Sequence, residues 1–379
     1  MKTIHYFILL TSLFISLEAY AGGPKRIATS DRTAWPYKLN SNKNFNKASR
    51  AEILSLANAW GKYSSLKSEG EWKEKLSLKN INYDSILEWE KLIIKIWVEN
   101  FIKATETCTN ADELFCPKVS LKSWEKIVSF SKSQWESLPE NLKIWSEQQD
   151  QFYDYYLYEQ HRLAALFPRI TSEILRLHDA EILGEKFQDK SFLLTFDDGP
   201  SVKNGETDKI ISFLNEKKLN GVFFILGNRL DARLNKSSPS HIKKLYKGMC
   251  IASHGYRHKS HQRIPDWKES IDKTNKVLNK IMPATQSKIM YFRPPYGQRT
   301  EELTLYLNSL SQKNMLWNID SQDWNRHISA NQISNRIITL MLVWRKGILL
   351  FHDIHLKAKS ALPDILDKTG ESGINWVKC

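Results

Sequence analysis

Cysteine is scarce in this chain of 379 residues, and none of the four, Cys108, Cys116, Cys250 and Cys379, stands in C-x-x-C spacing. A zinc site built from cysteines is therefore not expected. Long apolar runs are equally scarce. After the first 21 residues no stretch approaches 18 apolar residues, so no later segment is expected to span a membrane. Low-complexity tracts are missing too, and with 41% hydrophobic and 26% charged residues the composition is that of a folded globular protein, long enough for two domains.

What the start of the chain does have is a leader pattern. Lys2 gives a short positive start, Phe7–Phe14 is mostly apolar, and Ala19-Tyr20-Ala21 offers small residues where a signal peptidase cuts. Residues 1–21 read as a secretory signal peptide, with an uncleaved anchor as the alternative. No cysteine follows the cut, so a lipid anchor is not expected. The protein should be exported, to the periplasm or outside the cell. All four cysteines survive cleavage, and an even number in an oxidising compartment suggests disulfides. Cys108 with Cys116 would staple a Thr/Asn/Asp-rich loop. Cys250 with Cys379 would tie the C-terminus to a central strand. The spacing leaves all three pairings open.

Negative charge is short in one half only. Residues 22–185 hold 23 Lys/Arg and 23 Asp/Glu, whereas residues 186–379 hold 31 against 18. The C-terminal half should be drawn to an acidic polymer. For an exported protein that suggests a cell-wall glycan carrying carboxylates, or an anionic surface polymer, and not nucleic acid. Added solubility is the plain alternative.

The two halves also differ in rhythm. Residues 22–45 are polar with Pro24 and Pro36 and read as an extended leader. From Lys47 to about Gly184 the spacing predicts helices. Ile53, Leu54, Leu56, Ala57 and Trp60 repeat with helical period, as do Ile86, Trp89, Leu92, Ile93, Ile96 and Trp97. A long helix is expected from Leu138-Pro139 towards Pro168, and another from Arg169 to Leu183. Eight of the 13 tryptophans lie in this half, for core packing or for stacking on sugar rings.

Beyond Gly184, short apolar runs alternate with amphipathic stretches. Strands are expected at Phe192–Phe196, Val222–Leu226, Cys250–Ala252, Ile289–Phe292, Met315–Trp317 and Ile348–Phe351. Helices are expected at Asp208–Lys217, His241–Lys247, Asp266–Ile281, Glu301–Leu310 and Asn331–Val343. Such alternation implies an α/β fold with a parallel sheet, closed or nearly closed into a barrel, whose chemistry sits in the loops after the strands.

Five of those strand ends carry polar groups suited to a reaction. Asp197-Asp198-Gly199-Pro200 sets two carboxylates side by side, where like charge drives their pKa values apart. His254-Gly255-Tyr256-Arg257-His258 places two imidazoles four apart, able to share a metal. With Asp198 they would make three protein ligands and leave a position open, the pattern of a catalytic zinc. His261 is a rival third ligand. Phe292-Arg293-Pro294-Pro295-Tyr296-Gly297 follows, with two prolines that could fix the direction of the Tyr296 N–H. Asp320-Ser321-Gln322-Asp323-Trp324 and Leu350-Phe351-His352-Asp353 complete the set. Each alone has an innocent reading as a turn or a surface histidine.

Together and in this order, the five segments over about residues 190–355 resemble the motifs of the polysaccharide deacetylase family, carbohydrate esterase family four. The resemblance implies a distorted (β/α) barrel as the C-terminal catalytic domain (186–379); the all-α N-terminal domain that precedes it (22–185), read from its helical spacing, resembles no module. The resemblance implies one divalent metal ion, usually zinc, held by Asp198, His254 and His258. It implies Asp197 as general base, Arg293 holding that base, Tyr296 offering its N–H to the oxyanion, His352 as general acid and Asp323 tuning it. Trp324, Leu350, Pro294 and Tyr296 would meet the substrate, an acetylated cell-wall glycan, with peptidoglycan favoured. Deacetylation of chitin oligomers, exopolysaccharide or xylan, and wall binding without catalysis, are the alternatives. One residue departs from the family pattern: Gly255 stands where a Ser or Thr hydroxyl usually props the metal loop.

Overall fold

The computed structural model describes residues 26–379, save 110–113, 171–172, 283–285 and 287; the expected leader at 1–21 lies outside the described residues. Five helices come first: α1 (Asn42–Trp60), α2 (Glu69–Leu76), α3 (Tyr83–Thr105), α4 (Trp124–Glu136) and α5 (Glu140–Leu166). Their starts are written in the sequence. Ser41, Ser68, Asn82 and Ser123 each accept a hydrogen bond from a first-turn N–H, and Ser68 with Glu71 closes a capping box. Trp60, Trp72, Trp89, Trp97, Trp124 and Trp145 are buried; Trp60, Trp89, Trp97 and Trp124 meet one another, with Trp60 and Trp97 edge to face at 5.4 Å, while Trp72 packs on Tyr63 and Trp145 on Trp35. They make core rather than a stacking platform.

The helix expected at Arg169–Leu183 does not form among the described residues. Pro168 lies just past the end of α5, and the chain then runs through turns and bends. Its end is committed elsewhere. Ile182 donates its N–H to the Asn314 carbonyl (2.9 Å) and accepts from the Leu316 N–H (2.8 Å), a parallel bridge that a helix could not make. Glu181 is buried against Arg299.

The second half is the expected alternation: β1 (Ser191–Asp197), α6 (Glu206–Glu216), β2 (Val222–Ile225), α7 (Gly227–Leu234), α8 (Pro239–Leu245), β3 (Cys250–Ser253), α9 (Trp267–Leu278), β4 (Tyr291–Phe292), α10 (Glu301–Ser309), β5 (Lys313–Asn314), β6 (Ile319–Asp320), α11 (Ala330–Trp344), β7 (Gly347–His352), α12 (Leu356–Thr369) and β8 (Asn375–Trp376). Every pairing is parallel, in the order β5-β4-β3-β2-β1-β7-β6, with β8 beside the start of β1. The sheet curls, but β5 and β6, its two ends, do not pair with each other. The barrel is therefore incomplete. Met315–Trp317, expected as a strand, is instead the link between those ends: Met315 forms an isolated bridge to Ile182, and the carbonyls of Met315 and Leu316 accept from the Arg293 side chain rather than from a neighbouring strand. Helices α7 and α12 were not foreseen. Disulfides join Cys108 to Cys116 and Cys250 to Cys379. No helix of the described residues is long and apolar enough to cross a membrane.

One apolar core runs through both halves. Its centre is α11, buried from Ile333 to Trp344. Polar ties reinforce it from the helical side. Ser49 donates to the Leu342 carbonyl at 2.7 Å, Asn100 donates to those of Val343 and Trp344 at 2.9 and 3.0 Å, and Trp344 donates from its indole to the Tyr156 hydroxyl at 3.0 Å.

Candidate active site

The C-terminal ends of the parallel strands gather the expected residues at one mouth. Asp197 ends β1, and Asp198 follows with φ +76°, a left-handed backbone; an oxygen of each carboxylate comes within 3.7 Å of the same His254 Nε2. His254 follows β3, Arg293 follows β4, Asp323 lies after β6, and His352 ends β7.

Asp198, His254 and His258 each aim one ligand atom at a common point, all within 4.8 Å of one another. Asp198 Oδ1 lies 3.5 Å from Nε2 of both histidines. The His254 Nδ1 faces the Arg293 carbonyl at 2.7 Å, and a carbonyl only accepts, so the proton sits on Nδ1 and Nε2 keeps its lone pair. Burial pushes both imidazoles below their usual pKa, the Asp198 charge opposing, which keeps them neutral. Asp198 Oδ1 is buried without a hydrogen-bond partner. Lone pairs converging on an unsatisfied carboxylate oxygen need a cation between them, and one carboxylate with two imidazoles suits zinc. His261, the rival ligand, is outside this cluster.

His261 is instead buried at 2% exposure, with its Nε2 3.1 Å from the Ser270 hydroxyl, which also accepts from the Tyr256 N–H at 2.9 Å. It fills the space that a side chain at Gly255 would need. A Cβ there would stand 2.4 Å from His261 Cε1 and 3.3 Å from Ser270 Oγ, and Gly255 has φ +78°. A hydroxyl on residue 255 is thus replaced by one reaching in from α9.

Behind the metal cluster stands Arg293, fully buried. It donates to Asp197 Oδ1 (2.7 Å), Thr195 Oγ1 (2.9 Å) and the carbonyls of Met315 and Leu316 (both 2.9 Å). Four acceptors pin one guanidinium, so Asp197 Oδ1 is fixed and Oδ2 faces the cluster, 3.7 Å from His254 Nε2. Burial raises the Asp197 pKa, opposed by the Arg293 and His352 charges. Across the mouth, Asp323 accepts from His352 twice, from its Nδ1 (2.7 Å) and from its backbone N–H (2.8 Å). Burial lowers the His352 pKa, but Asp323, with Asp198 and Asp197, outweighs it and lifts the group to about 10. Tyr296 follows two prolines with φ +62°, and its ring meets His258 edge to face at 4.4 Å. Pro294 is buried and accepts from the Gly297 N–H, away from the cavity lining.

Trp324 and Leu350 line a cavity of about 1250 Å³ that also holds Asp197, Asp198, His254, His258 and His352. Three contributors escaped the sequence reading. Thr195 lies two residues before Asp197 and so on the same face of β1, a signal that was legible. Ser270 on α9 carried no signal, and Asp353, which stands beside His352 in its segment but was given no role, is buried with its carboxyl raised to about 7 chiefly by burial.

Residues 184–315 match the family model described as polysaccharide deacetylase. An uncharacterised 30.6 kDa protein of Geobacillus stearothermophilus is 30% identical over 54% of this chain and 75% of its own length. The chain belongs to the polysaccharide deacetylase family. A peptidoglycan-N-acetylglucosamine deacetylase of Bacillus cereus is 28% identical over 38% of this chain and 50% of its own. A peptidoglycan-N-acetylmuramic acid deacetylase of Bacillus subtilis is 28% identical over 40% of this chain and 56% of its own. The chain thus spans about half the length of these two deacetylases. Asp323, Trp324 and His352 lie beyond the segment that matches the deacetylase model, so their placement rests on the geometry above.

Proposed function

We propose that the protein hydrolyses N-acetyl groups from N-acetylglucosamine residues of a cell-wall polysaccharide, peptidoglycan first, and releases acetate. The observation that carries this is the meeting of three groups at one mouth: the Asp198, His254 and His258 cluster, the Arg293-bound Asp197, and the Asp323-bound His352. The reading also draws on the relatives' names, on the leader that suggests export, and on the basic catalytic half.

A divalent metal held by Asp198, His254 and His258, zinc by its donor set, would polarise the acetyl carbonyl and acidify water. Asp197 takes the water proton on Oδ2, while Arg293 holds Oδ1 and keeps the carboxylate oriented. The Tyr296 backbone N–H is the chain's own donor for the oxyanion. His352, protonated at neutral pH, gives its Nε2 proton to the leaving amine, and Asp323 holds the ring by Nδ1. Leu350 and Trp324 flank the acetyl group and the sugar. Wall binding without catalysis would leave this set of acid, base and ligands without a use.

The test is acetate release from purified peptidoglycan by residues 22–379, with and without chelator, beside Asp197→Asn. Acetate that needs both the metal and Asp197 supports the reading. No acetate from peptidoglycan, but acetate from chitin oligomers, exopolysaccharide or acetylated xylan, moves the substrate. None from any of them sinks the catalytic reading.

A further inference from the structure

We infer that the helical half is the second wall of the substrate cleft, and that it holds the glycan beyond the sugar that reacts. The inference rests on the deacetylase reading of the metal site. The cavity that contains Asp198 and His352 does not end at the barrel mouth. It continues to α3 and α5, where Leu92, Ile96, Tyr155, Gln160 and Leu163 line it. Its volume of about 1250 Å³ exceeds the range of ordinary small-ligand sites, roughly 300–1,000 Å³, so a single sugar would leave most of it empty.

This wall is fixed relative to the metal site. The ties from Ser49, Asn100 and Tyr156 to α11 join it to the helix that packs beneath β6 and β7. Arg345, at the end of α11, binds Asp189, Ser49 and Asn46 at 2.7–3.0 Å. A surface held this firmly can read a ligand without first paying to order itself.

The lining suits a polysaccharide. Leu92, 45% exposed, and Ile96 offer apolar surface to the C–H faces of sugar rings, and Gln160 offers an amide to hydroxyls. The occupant argued for is the continuation of the same glycan chain, because the cavity is continuous with the reacting site.

The experiment compares N-acetylglucosamine dimer and hexamer as substrates of the metal-loaded chain. In the unaltered protein the ratio of kcat/KM, hexamer over dimer, should be large. Leu92→Asp should lower that ratio about tenfold, the loss expected for one apolar contact. Leu87→Asp is the control. Leu87 is also exposed on α3, at 44%, but lies outside the cavity lining and should leave the ratio alone. Calorimetric affinities of both oligomers are measured beside the kinetics. If no acetate appears but the hexamer's affinity advantage is lost in Leu92→Asp alone, the wall stands and the catalytic reading falls. A ratio near one in the unaltered protein, an equal loss in Leu87→Asp, or tighter binding of an alkyl-linked dimer than of the hexamer would overturn the wall as a glycan site.

Discussion

The His261 ring occupies the volume that any side chain on Gly255 would enter, its Cε1 2.4 Å from where a Cβ would stand. The two residues are therefore coupled: glycine at 255 is the condition for a buried histidine at 261. Through Ser270, that histidine steadies the Tyr256 N–H, midway between the metal-ligand candidates His254 and His258. His261→Ala should weaken zinc binding by ~10-fold, the low end for loss of a group that orients ligands. Competition titration with a chromogenic chelator checks this. Unchanged affinity would show that the loop stands without its prop.

Asp198 Oδ1 is buried and unsatisfied by protein, so the metal should stabilise the fold as well as the reaction. At 100 times its Kd, zinc adds about 2.7 kcal/mol to unfolding. Thermal melts with zinc and with chelator should differ accordingly, and Asp198→Ala should abolish the difference. An equal gain in the variant would place the zinc elsewhere.

Asp323 holds the raised pKa of His352, and Asp323→Asn should lower it by ~1–3 units, the usual effect of an opposite charge at contact. The alkaline limb of kcat should move down by that amount. Stability follows the same sign. A histidine at about 10 in the fold and 6.5 outside it contributes fully below pH 6.5, and that contribution fades as pH rises towards 10. In the variant, alkaline unfolding should lose this slope. A limb that does not move would assign the titration to another group.

Arg293 is the only cation in hydrogen-bond contact with Asp197 among the described residues, and both are buried. Arg293→Met leaves a buried carboxylate without its partner, and such losses cost ~3–5 kcal/mol. Urea denaturation should show that loss at neutral pH, with partial recovery in acid as Asp197 is protonated. A loss below ~1 kcal/mol would mean that water reaches the carboxylate.

Much of this was written locally in the chain. Asp197, Asp198, His254, His258, Arg293 and His352 each follow a short apolar run. In a parallel sheet that position is enough to bring them to one face, whatever the distance in sequence. What was not legible depends on contacts made across the fold. Arg169–Leu183 has helical spacing, yet Ile182 pairs with an edge more than 130 residues away, and no local pattern announces that. Ser270 looks like any helix serine until α9 packs against the metal loop. The cleft's second wall was hidden for the same reason: Leu92 reads as one more apolar residue on a helix, and its place beside the mouth comes from how α11 is gripped.

Helix α11 carries a last consequence. Ile333, Ile337, Ile338, Leu340, Met341, Leu342 and Val343 are all buried, because the helix packs against α12, β6 and β7 of the barrel and also against α1 and α3 of the helical half. A gene fragment encoding only the barrel would translate into a chain with the α1- and α3-facing flank of this greasy rod open to water. The two halves should therefore be inherited, expressed and degraded as one unit, and shuffling the barrel onto another partner would demand a new sheath for α11 before any new activity could arise.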